Sequence, residues 1–533
     1  MNSHTRYRIG ILVSVIGFSL WLYVISSTTV SWIDTSYEFG LFQQLPVFYG
    51  ISLLTFVAGI LLLLEHQSKG IFLLQIVVLG MMIWGTPVFV ENNARSTDTW
   101  WHLGTTKTIL DSGRITVNSS ATHKYLEWPG SFVFSSIVIS VLGLPPESYI
   151  RIFPLLSSTV LILAYYVWIQ KIVENKIVQK LSIIALFFLN LWLQFHASPQ
   201  GFGLMLFPLV LTGLMNTTIK WRLIAVVLYL SLVISHPLTP FFIVLLSIAE
   251  IVLLSMRKKV TKPVVVFFLI SVWLAWFVFN ASWSFDIRIL EVSTGIQNFG
   301  ETLGTTKALV ETKTSYVPSL IRLITIACAM AVAILYIFRS RKQECTRRFP
   351  LYAGWIISFF LFFSYDLILY SSLQDRAFMF AFLLVPPLLV ESAWKLTNVR
   401  IDMRITAGIL LLLLFPNLLT LYYSENLSIV SDSNIEMVLH LNKYFSQGAV
   451  YGIKRCDVIY AFNTSYDYAS LYYQRNKLPV NSFIVFDEFT MQTPGALGGS
   501  NMRYFYNICS ERIGANLLYS SDKFQVYYTD PPT

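Results

Sequence analysis

The chain has 533 residues, of which 55% are hydrophobic and 13% are charged. Soluble domains usually carry about 25% charged residues, so this chain has too few charges to cover a soluble globular surface. The net charge of +9 comes from Lys and Arg in short clusters between apolar runs. This pattern excludes the continuous basic stripe of a nucleic-acid-binding protein. The composition therefore indicates a protein that lies mainly in a lipid bilayer.

Apolar runs that can cross a bilayer follow one another along most of the chain. A transmembrane helix needs about 20 mainly apolar residues, with a tolerated range of about 17 to 25. The fold class predicted from these runs is a polytopic α-helical membrane protein with about 13 transmembrane helices. The predicted spans, of which the fifth and seventh are short, are residues 9–27, 47–64, 71–90, 149–171, 181–195, 202–219, 223–235, 238–256, 263–280, 319–338, 351–370, 377–394 and 405–423.

The positions of Lys and Arg predict the direction of these spans. With a cytoplasmic N-terminus, the inner connections contain Lys69 and the basic segments 171–180, 220–222, 257–262, 339–348 and 395–404. The short outer connections then contain one cation, Arg376. Because cytoplasmic loops retain Lys and Arg, this asymmetry favours a multi-pass cell-membrane protein with that orientation.

The same orientation divides the chain into four parts. Residues 1–90 form N-terminal transmembrane helices, and residues 91–148 form a first long outer loop. Residues 149–423 complete the bundle, which includes a second long outer loop at 284–317. Residues 424–533 are polar and turn-rich, and helical spacing at 432–445 with short strands at 449–453 and 524–528 predicts a small extracytoplasmic α/β domain. Cys456 and Cys509 in this domain either form a disulfide or are separate thiols.

The first outer loop contains a helix signal with an acidic residue. Ser96 or Thr97 can cap a helix that carries Asp98 in its first turn, and Gly113 can end it. Asp98 and His102 are four residues apart and therefore share one face. In one interpretation Asp98 reaches a lipid headgroup and acts chemically, and in the other it only caps the helix and pairs with His102.

Tryptophans and a short apolar segment mark the same loop as interfacial. Trp100 and Trp101 are typical of headgroup depth. Residues 131–144 are apolar but too short to cross, and prolines bracket them. This segment predicts an interfacial helix on the outer leaflet, and the alternative is an extra tight hairpin that would reverse every later span.

These features resemble the GT-C glycosyltransferase superfamily, whose multi-span members use polyprenyl-phosphate-linked sugars. The resemblance implies that Asp98 is the catalytic or acceptor-orienting carboxylate of the first outer loop. It also matches Glu127, in the sequence that leads into the second interfacial helix, and Arg151, at the start of the fourth span. Two spans precede the usual first one, and the Trp-Trp-Asp-Tyr-Gly signature is absent, which argues against the oligosaccharyltransferase branch.

Further polar residues lie where spans meet the outer surface. His196, Gln200 and His236 are costly at this depth unless they have partners or face a wet cavity, so they either bind substrate or join helices. Arg376 can clamp a donor phosphate or pair with Asp375. Arg322 lies within the tenth span and requires a partner or a cavity.

The expected function is transfer of a monosaccharide from a polyprenyl-phosphate donor, with inversion, at the outer face of the membrane. Asp98 and His102 are the predicted catalytic residues, and Arg376, Arg151, Arg322, His196, Gln200, His236 and Glu127 are the predicted substrate-binding residues. The acceptor is a protein, lipid or polysaccharide. No cofactor is indicated, and without an Asp-x-Asp motif a divalent metal is only an option. The alternatives are a lipid or polysaccharide transporter or flippase, or a surface-polysaccharide polymerase or ligase.

Overall fold

A computed structural model describes most of the first half of the chain and selected segments of the second half. Within a few helices it describes the backbone but not every side chain, as at residues 374–377. The described residues are 3–31, 39–115, 125–190, 193, 195–216, 218–256, 263–282, 284, 316–340, 374–396, 416, 419–422, 430, 432–444, 449–451, 461, 482–487, 511, 516–520 and 524–529.

The described part of the chain is predominantly helical. In chain order the helices are α1 (Ser3–Ser27), α2 (Leu41–Gln44), α3 (Val47–Leu63), α4 (Lys69–Trp84), α5 (Thr86–Val90), α6 (Thr97–Ser112), α7 (Gly130–Leu142), α8 (Pro146–Ile172), α9 (Lys176–Leu189), α10 (Pro199–Met215), α11 (Ile219–Val233), α12 (Leu238–Met256), α13 (Pro263–Phe279), α14 (Tyr316–Ser340), α15 (Gln374–Ala381), α16 (Val385–Leu396) and α17 (Asp432–Tyr444).

Helices occupy each predicted span that falls within the described residues. Two of them, His4–Ser27 and Pro146–Ile172, are long and apolar enough to cross a membrane by themselves, and several others are apolar but shorter. The third predicted span is broken between α4 and α5, and the twelfth is broken between α15 and α16. The span predicted at 351–370 and most of the one at 405–423 lie outside the described residues, as does most of the predicted loop 284–317.

The surface of the helical bundle is itself apolar. Side chains such as Leu12 on α1, Val227 on α11 and Phe267 on α13 are more than half exposed. A large cluster of buried apolar side chains, including Tyr165 and Trp168, lies inside the bundle. An apolar surface around an apolar core is typical of a bundle whose solvent is lipid.

Helices α1 and α3 pack with their backbones in contact. A Cβ atom on Gly17 would lie 2.6 Å from the backbone nitrogen of Phe56, and one on Gly59 would lie 2.6 Å from that of Ser14. Small residues allow this close approach, which replaces the hydrophobic driving force that is absent between helices in lipid. The two N-terminal helices therefore form a closely packed pair.

We expect Gly59→Ala to destabilise the protein by about 1–3 kcal/mol, the range observed for an overpacked core. Gly50 lies in the same helix with no atom within 4 Å of its added Cβ, so Gly50→Ala is the matched control. The measurement is the unfolding temperature of each variant in detergent. Equal unfolding temperatures for the two variants would show that the α1–α3 contact is looser than described.

Helix α7 confirms the short helix predicted in the first outer loop. It has 13 residues, and Gly143 ends it with a positive φ of 61°. Ile137, Val141 and Leu142 are exposed on one side, whereas Phe132 and Ile139 are buried on the other. This distribution fits a helix that lies on the bundle with one apolar face toward lipid.

The C-terminal residues form a helix and a four-stranded sheet. The strands are β1 (Ala449–Tyr451), β2 (Ser482–Asp487), β3 (Asn516–Ser520) and β4 (Phe524–Thr529), in the order β1-β2-β4-β3. β1 and β2 are parallel, and the other two pairs are antiparallel. Helix α17 and strands β1 and β4 lie where the sequence predicts a helix and two strands. Cys456 and Cys509 lie outside the described residues.

His440 of α17 lies among aromatic rings, with its centroid 4.1 Å from that of Tyr519 and 5.6 Å from that of Phe524. Burial lowers the pKa of this imidazole below its usual value of 6.5, and the charge of Lys443 lowers it further. The unfolded chain therefore binds a proton before the folded domain does. Stability is complete above about pH 6.5 and decreases as the pH falls from there through the lowered pKa.

We expect His440→Phe to reduce this loss of stability in acid, because the substituted ring has no proton to bind. The measurement is the protease sensitivity of residues 432–529 in the full chain, as a function of temperature, at pH 7.5 and pH 5.5. Wild type should lose more stability than the variant between these two pH values. An identical loss in both proteins would contradict the assignment.

Candidate functional site

A proline break between α4 and α5 shapes the predicted outer end of the bundle. Pro87 has no N–H to donate to the carbonyl of Ile83, and the hydroxyl of Tyr422 donates to that carbonyl instead. The carbonyl of Met82 accepts hydrogen bonds from Thr86 Oγ1 at 2.6 Å and from Tyr49 Oη at 2.9 Å. The break thus keeps its polar groups satisfied inside an apolar bundle.

Immediately after this break, Glu91 and Arg95 form an ion pair. Arg95 Nε donates to both carboxylate oxygens at 3.1 Å, and Nη2 also contacts Oε1. The guanidinium lies 5.1 Å from the ring centroid of Tyr422. The side chains are only 11% exposed for Arg95 and 7% for Glu91, so water weakens this pair much less than an exposed one.

Arg151, on the second turn of α8, binds the backbone of the same segment. Its Nη2 donates to the carbonyls of Val88 at 3.2 Å and Glu91 at 3.0 Å, and its Nε contacts the Val88 carbonyl at 3.3 Å. These carbonyls belong to the C-terminal end of α5, where a cation is favourable. Arg151 therefore has a structural role here, and its predicted role in substrate binding stays a prediction.

The two arginines line one open cleft, whose empty space of about 490 Å³ includes the open solvent at its mouth. We call it the arginine cleft and define it by Glu91, Asn93, Arg95, Arg151 and Tyr422. Its remaining walls are mainly apolar and include Trp84, Ile150 and Phe195. A partly apolar cleft with two guanidinium groups and one carboxylate has the chemistry to hold a phosphate attached to an apolar chain.

Helix α6 begins four residues after Asn93 and confirms the predicted helix with Asp98 in its first turn. Ser96 precedes it with a φ of 77°, a left-handed conformation that is strained for a residue with a side chain. The Ser96 side chain makes no capping hydrogen bond, and Gly113 ends the helix with a φ of 64°. Strained residues of this kind cluster at functional sites.

His102 lies one turn after Asp98 and faces the interior of the protein. It is 8% exposed, and its ring lies edge-on to Tyr125 with centroids 5.0 Å apart. His102 and hydroxyl groups such as those of Ser131 and Tyr149 line a second cleft, whose empty space of about 310 Å³ also includes open solvent. Ile150 lines both clefts, so the cavity beside His102 adjoins the arginine cleft.

Trp100 and Trp101 differ from the expectation of headgroup contact, because both side chains are 4% exposed. Trp100 Nε1 donates to the carbonyl of Ala94 at 3.0 Å. The two rings belong to an apolar cluster that also contains Val438 of the C-terminal helix α17. They pack against protein rather than lipid.

Glu127 joins the two long loops that the sequence predicts to lie outside. Its carboxylate is buried and accepts hydrogen bonds from the backbone nitrogen and the hydroxyl of Ser284. Its carbonyl accepts a hydrogen bond from Trp276 Nε1 at 3.1 Å. The substrate-binding role predicted for Glu127 stays a prediction, and the contacts described here hold it in place.

His196, Gln200 and His236, which the sequence predicts at the outer surface, differ in their contacts. His236 is buried, and its Nδ1 accepts a hydrogen bond from the backbone nitrogen of Thr239 at 3.2 Å, which caps α12. Gln200 Nε2 lies 3.4 Å from Met379 Sδ. His196 is half-buried beside Ala197, which lines the second cleft. The capping hydrogen bond gives His236 a structural role, and its predicted substrate-binding role stays a prediction.

Arg376 lies in α15, and its side chain is outside the described part of the structure. Met379, one turn later on the same helix, contacts Gln200 and accepts a hydrogen bond from Asn190 Nδ2 at 3.0 Å. The backbone that carries Arg376 is therefore near the loop before α10. Arg322 is half-buried within α14.

Sequence analysis identified Asp98 and Arg151 as site candidates but missed Glu91, Arg95 and Tyr422. The four-residue spacing of Glu91 and Arg95 could have indicated them, because an acid and a base four residues apart often form an ion pair. Nothing local to Tyr422 reveals its partners. Among the described residues there is no group of three or more His, Cys, Asp or Glu side chains that could hold a metal.

No protein-family model matches the chain, and no curated protein matches it. Among solved structures, the chain is similar to the crystal structure of ArnT from Cupriavidus metallidurans bound to undecaprenyl phosphate. The sequence identity is 11% and the TM-score is 0.47. The similarity covers 87% of this chain and 100% of the ArnT chain.

Proposed function

We propose that this protein is a multi-pass membrane glycosyltransferase that moves a monosaccharide from a polyprenyl-phosphate donor to an acceptor at the outer face of the membrane. The observation that carries the proposal is the arginine cleft, which leads along the chain within a few residues into the helix that bears Asp98. A cationic cleft suits the donor phosphate, and the apolar bundle beside it suits the polyprenyl chain.

The donor phosphate would be held mainly by Arg95 and Arg151. Each guanidinium offers a planar fork of N–H donors that fits phosphate oxygens. Arg376 and Arg322 are further candidates for the same phosphate. These cations stabilise the charge that develops on the phosphate as it leaves the sugar.

Asp98 would act as the general base. It takes the proton from an acceptor hydroxyl, whose oxygen forms a bond to the anomeric carbon from the side opposite the phosphate. The bond between the anomeric carbon and the phosphate oxygen breaks, and its electron pair stays on the lipid phosphate. The configuration at the anomeric carbon is inverted. His102, four residues later on the same helix, orients the carboxylate.

The remaining predicted substrate contacts belong to the same proposal. Glu127, His196, Gln200 and His236 would meet hydroxyl groups of the sugar or acceptor. The cytoplasmic N-terminus and the extracytoplasmic position of residues 91–148 and 424–533 follow from the distribution of Lys and Arg. This orientation places the arginine cleft at the outer leaflet.

The test uses cells that lack the protein, complemented with wild type or with an empty vector. We expect loss of a surface sugar and accumulation of its lipid-linked donor in the outer leaflet, where a membrane-impermeant periodate reagent oxidises it. Accumulation in the inner leaflet would instead indicate a flippase. An unchanged surface sugar and donor pool would contradict the proposal.

A further inference from the structure

The C-terminal helix α17 contacts the rim of the arginine cleft through its first residue. Asp432 accepts a hydrogen bond from Asn93 Nδ2 on Oδ1 at 2.8 Å and another from Asn92 Nδ2 on Oδ2 at 3.0 Å. Consecutive side-chain amides thus engage both oxygens of one carboxylate, which belongs to a residue about 340 positions later in the chain. Two such bonds fix the position and the orientation of the segment that makes them.

The segment held in this way carries the groups of the candidate site. Asn93 lines the arginine cleft, and Glu91 and Arg95 lie on either side of it. Glu91 at its start still donates a backbone hydrogen bond to the carbonyl of Pro87 at 2.9 Å, whereas the residues from Asn92 to Arg95 lie between α5 and α6. Its position therefore depends on contacts with other parts of the protein.

An apolar contact accompanies these hydrogen bonds. Ala94 and Trp100 belong to the same buried cluster as Val430 and Val438 on either side of Asp432. The buried cluster therefore extends from the loop to both sides of Asp432. This packing keeps Asp432 beside the two asparagines.

We propose that Asp432 is a positioning residue for the arginine cleft, and that the C-terminal domain holds the segment Glu91–Arg95 in place through it. No catalytic role is assigned to the described residues of that domain. Its contribution is to fix the cations and, a few residues later, the start of the helix that carries Asp98. Small displacements of such groups lower catalytic rates by up to about 10²-fold.

The geometry allows a test by exchanging the two partners. Asn93→Asp places a carboxylate against that of Asp432, and Asp432→Ala removes the acceptor. In the double variant N93D/D432N, the new amide at position 432 donates to the new carboxylate at position 93, and its oxygen still accepts from Asn92. Both hydrogen bonds are then restored with the polarity of one reversed.

The primary readout is amide hydrogen exchange of residues 91–97 in the purified full chain, which requires no activity. We expect about tenfold faster exchange in each single variant and near wild-type exchange in the double variant. Glu511→Ala, an exposed acid in the same domain, is the control and should leave residues 91–97 unchanged. Unchanged exchange in both single variants, or a double variant as disturbed as Asn93→Asp, would overturn the proposal.

The second readout rests on the proposed function. Sugar transfer should fall by about tenfold in kcat in the single variants and recover in kcat in the double variant. The KM for the donor should change little in Asp432→Ala and rise in both proteins with Asn93→Asp, which adds a carboxylate to the cleft. A wild-type protein without transfer activity would refute the glycosyltransferase assignment, and hydrogen exchange alone would then decide whether Asp432 positions the segment. Normal transfer in a variant with fast exchange would show that the contact does not serve catalysis.

Discussion

Asp98→Asn is expected to lower the rate of sugar transfer by a factor of about 10² to 10⁴, the usual effect of removing a general base. The amide is nearly isosteric with the carboxylate, and helix α6 keeps its other determinants, including Gly113 at its end. Abundance and unfolding temperature should therefore stay close to wild type. The measurement is single-turnover transfer from a labelled polyprenyl-phosphate monosaccharide in vesicles.

Asp111→Asn supplies the matched control, because it makes the same substitution in the last turn of the same helix at an exposed position. It should leave the transfer rate within about twofold of wild type, since surface changes of this kind have small effects. Transfer by Asp98→Asn at the rate of this control would exclude Asp98 as the base. Asp98 would then have only a structural role in the first turn of α6.

Arg95→Gln is expected to weaken binding of polyprenyl phosphate by about 10- to 100-fold, the equivalent of one or two charge-assisted hydrogen bonds. The substitution also leaves Glu91 buried without its cation. Breaking a buried pair in this way destabilises a protein by about 3–5 kcal/mol. Both phosphate affinity and unfolding temperature should therefore decrease, as measured by titration with polyprenyl phosphate and by thermal unfolding in detergent.

Glu91→Gln separates these two effects. It breaks the same ion pair and should also lower the unfolding temperature, but it releases Arg95 from its competing carboxylate and should strengthen phosphate binding. Arg114→Gln, at an exposed arginine just after α6, is the control for charge alone. Equal affinities in Arg95→Gln and Arg114→Gln would show that the cleft does not receive the phosphate through Arg95.

The apolar runs predicted the helices well, because a bilayer imposes a length and a composition that each segment must meet by itself. Helices α6 and α7 were also predictable from local sequence, because each ends at a glycine with a positive φ, Gly113 and Gly143. These signals are local in the chain. Reading them requires no knowledge of which helix packs against which.

The arrangement of the candidate site was less predictable, because it depends on residues far apart in sequence. Tyr422 is more than 300 positions from Ile83, and Asp432 is as far from Asn93. Trp100 and Trp101 illustrate the same limit, since their amphipathic rings suit a headgroup layer equally well as the buried position that they occupy. Only tertiary contacts decide between these environments.

The proline break also constrains the order in which the protein can be completed during synthesis. The carbonyl of Ile83 enters the bilayer early, while its hydroxyl partner on Tyr422 is made only after most of the chain has been inserted. An unpaired carbonyl in lipid costs several kcal/mol. Until Tyr422 is inserted, the Ile83 carbonyl must therefore be hydrated or hydrogen-bonded to another group. The arginine cleft is therefore completed late in synthesis. A chain truncated before its final predicted span would lack Tyr422, and its arginine cleft would be incomplete.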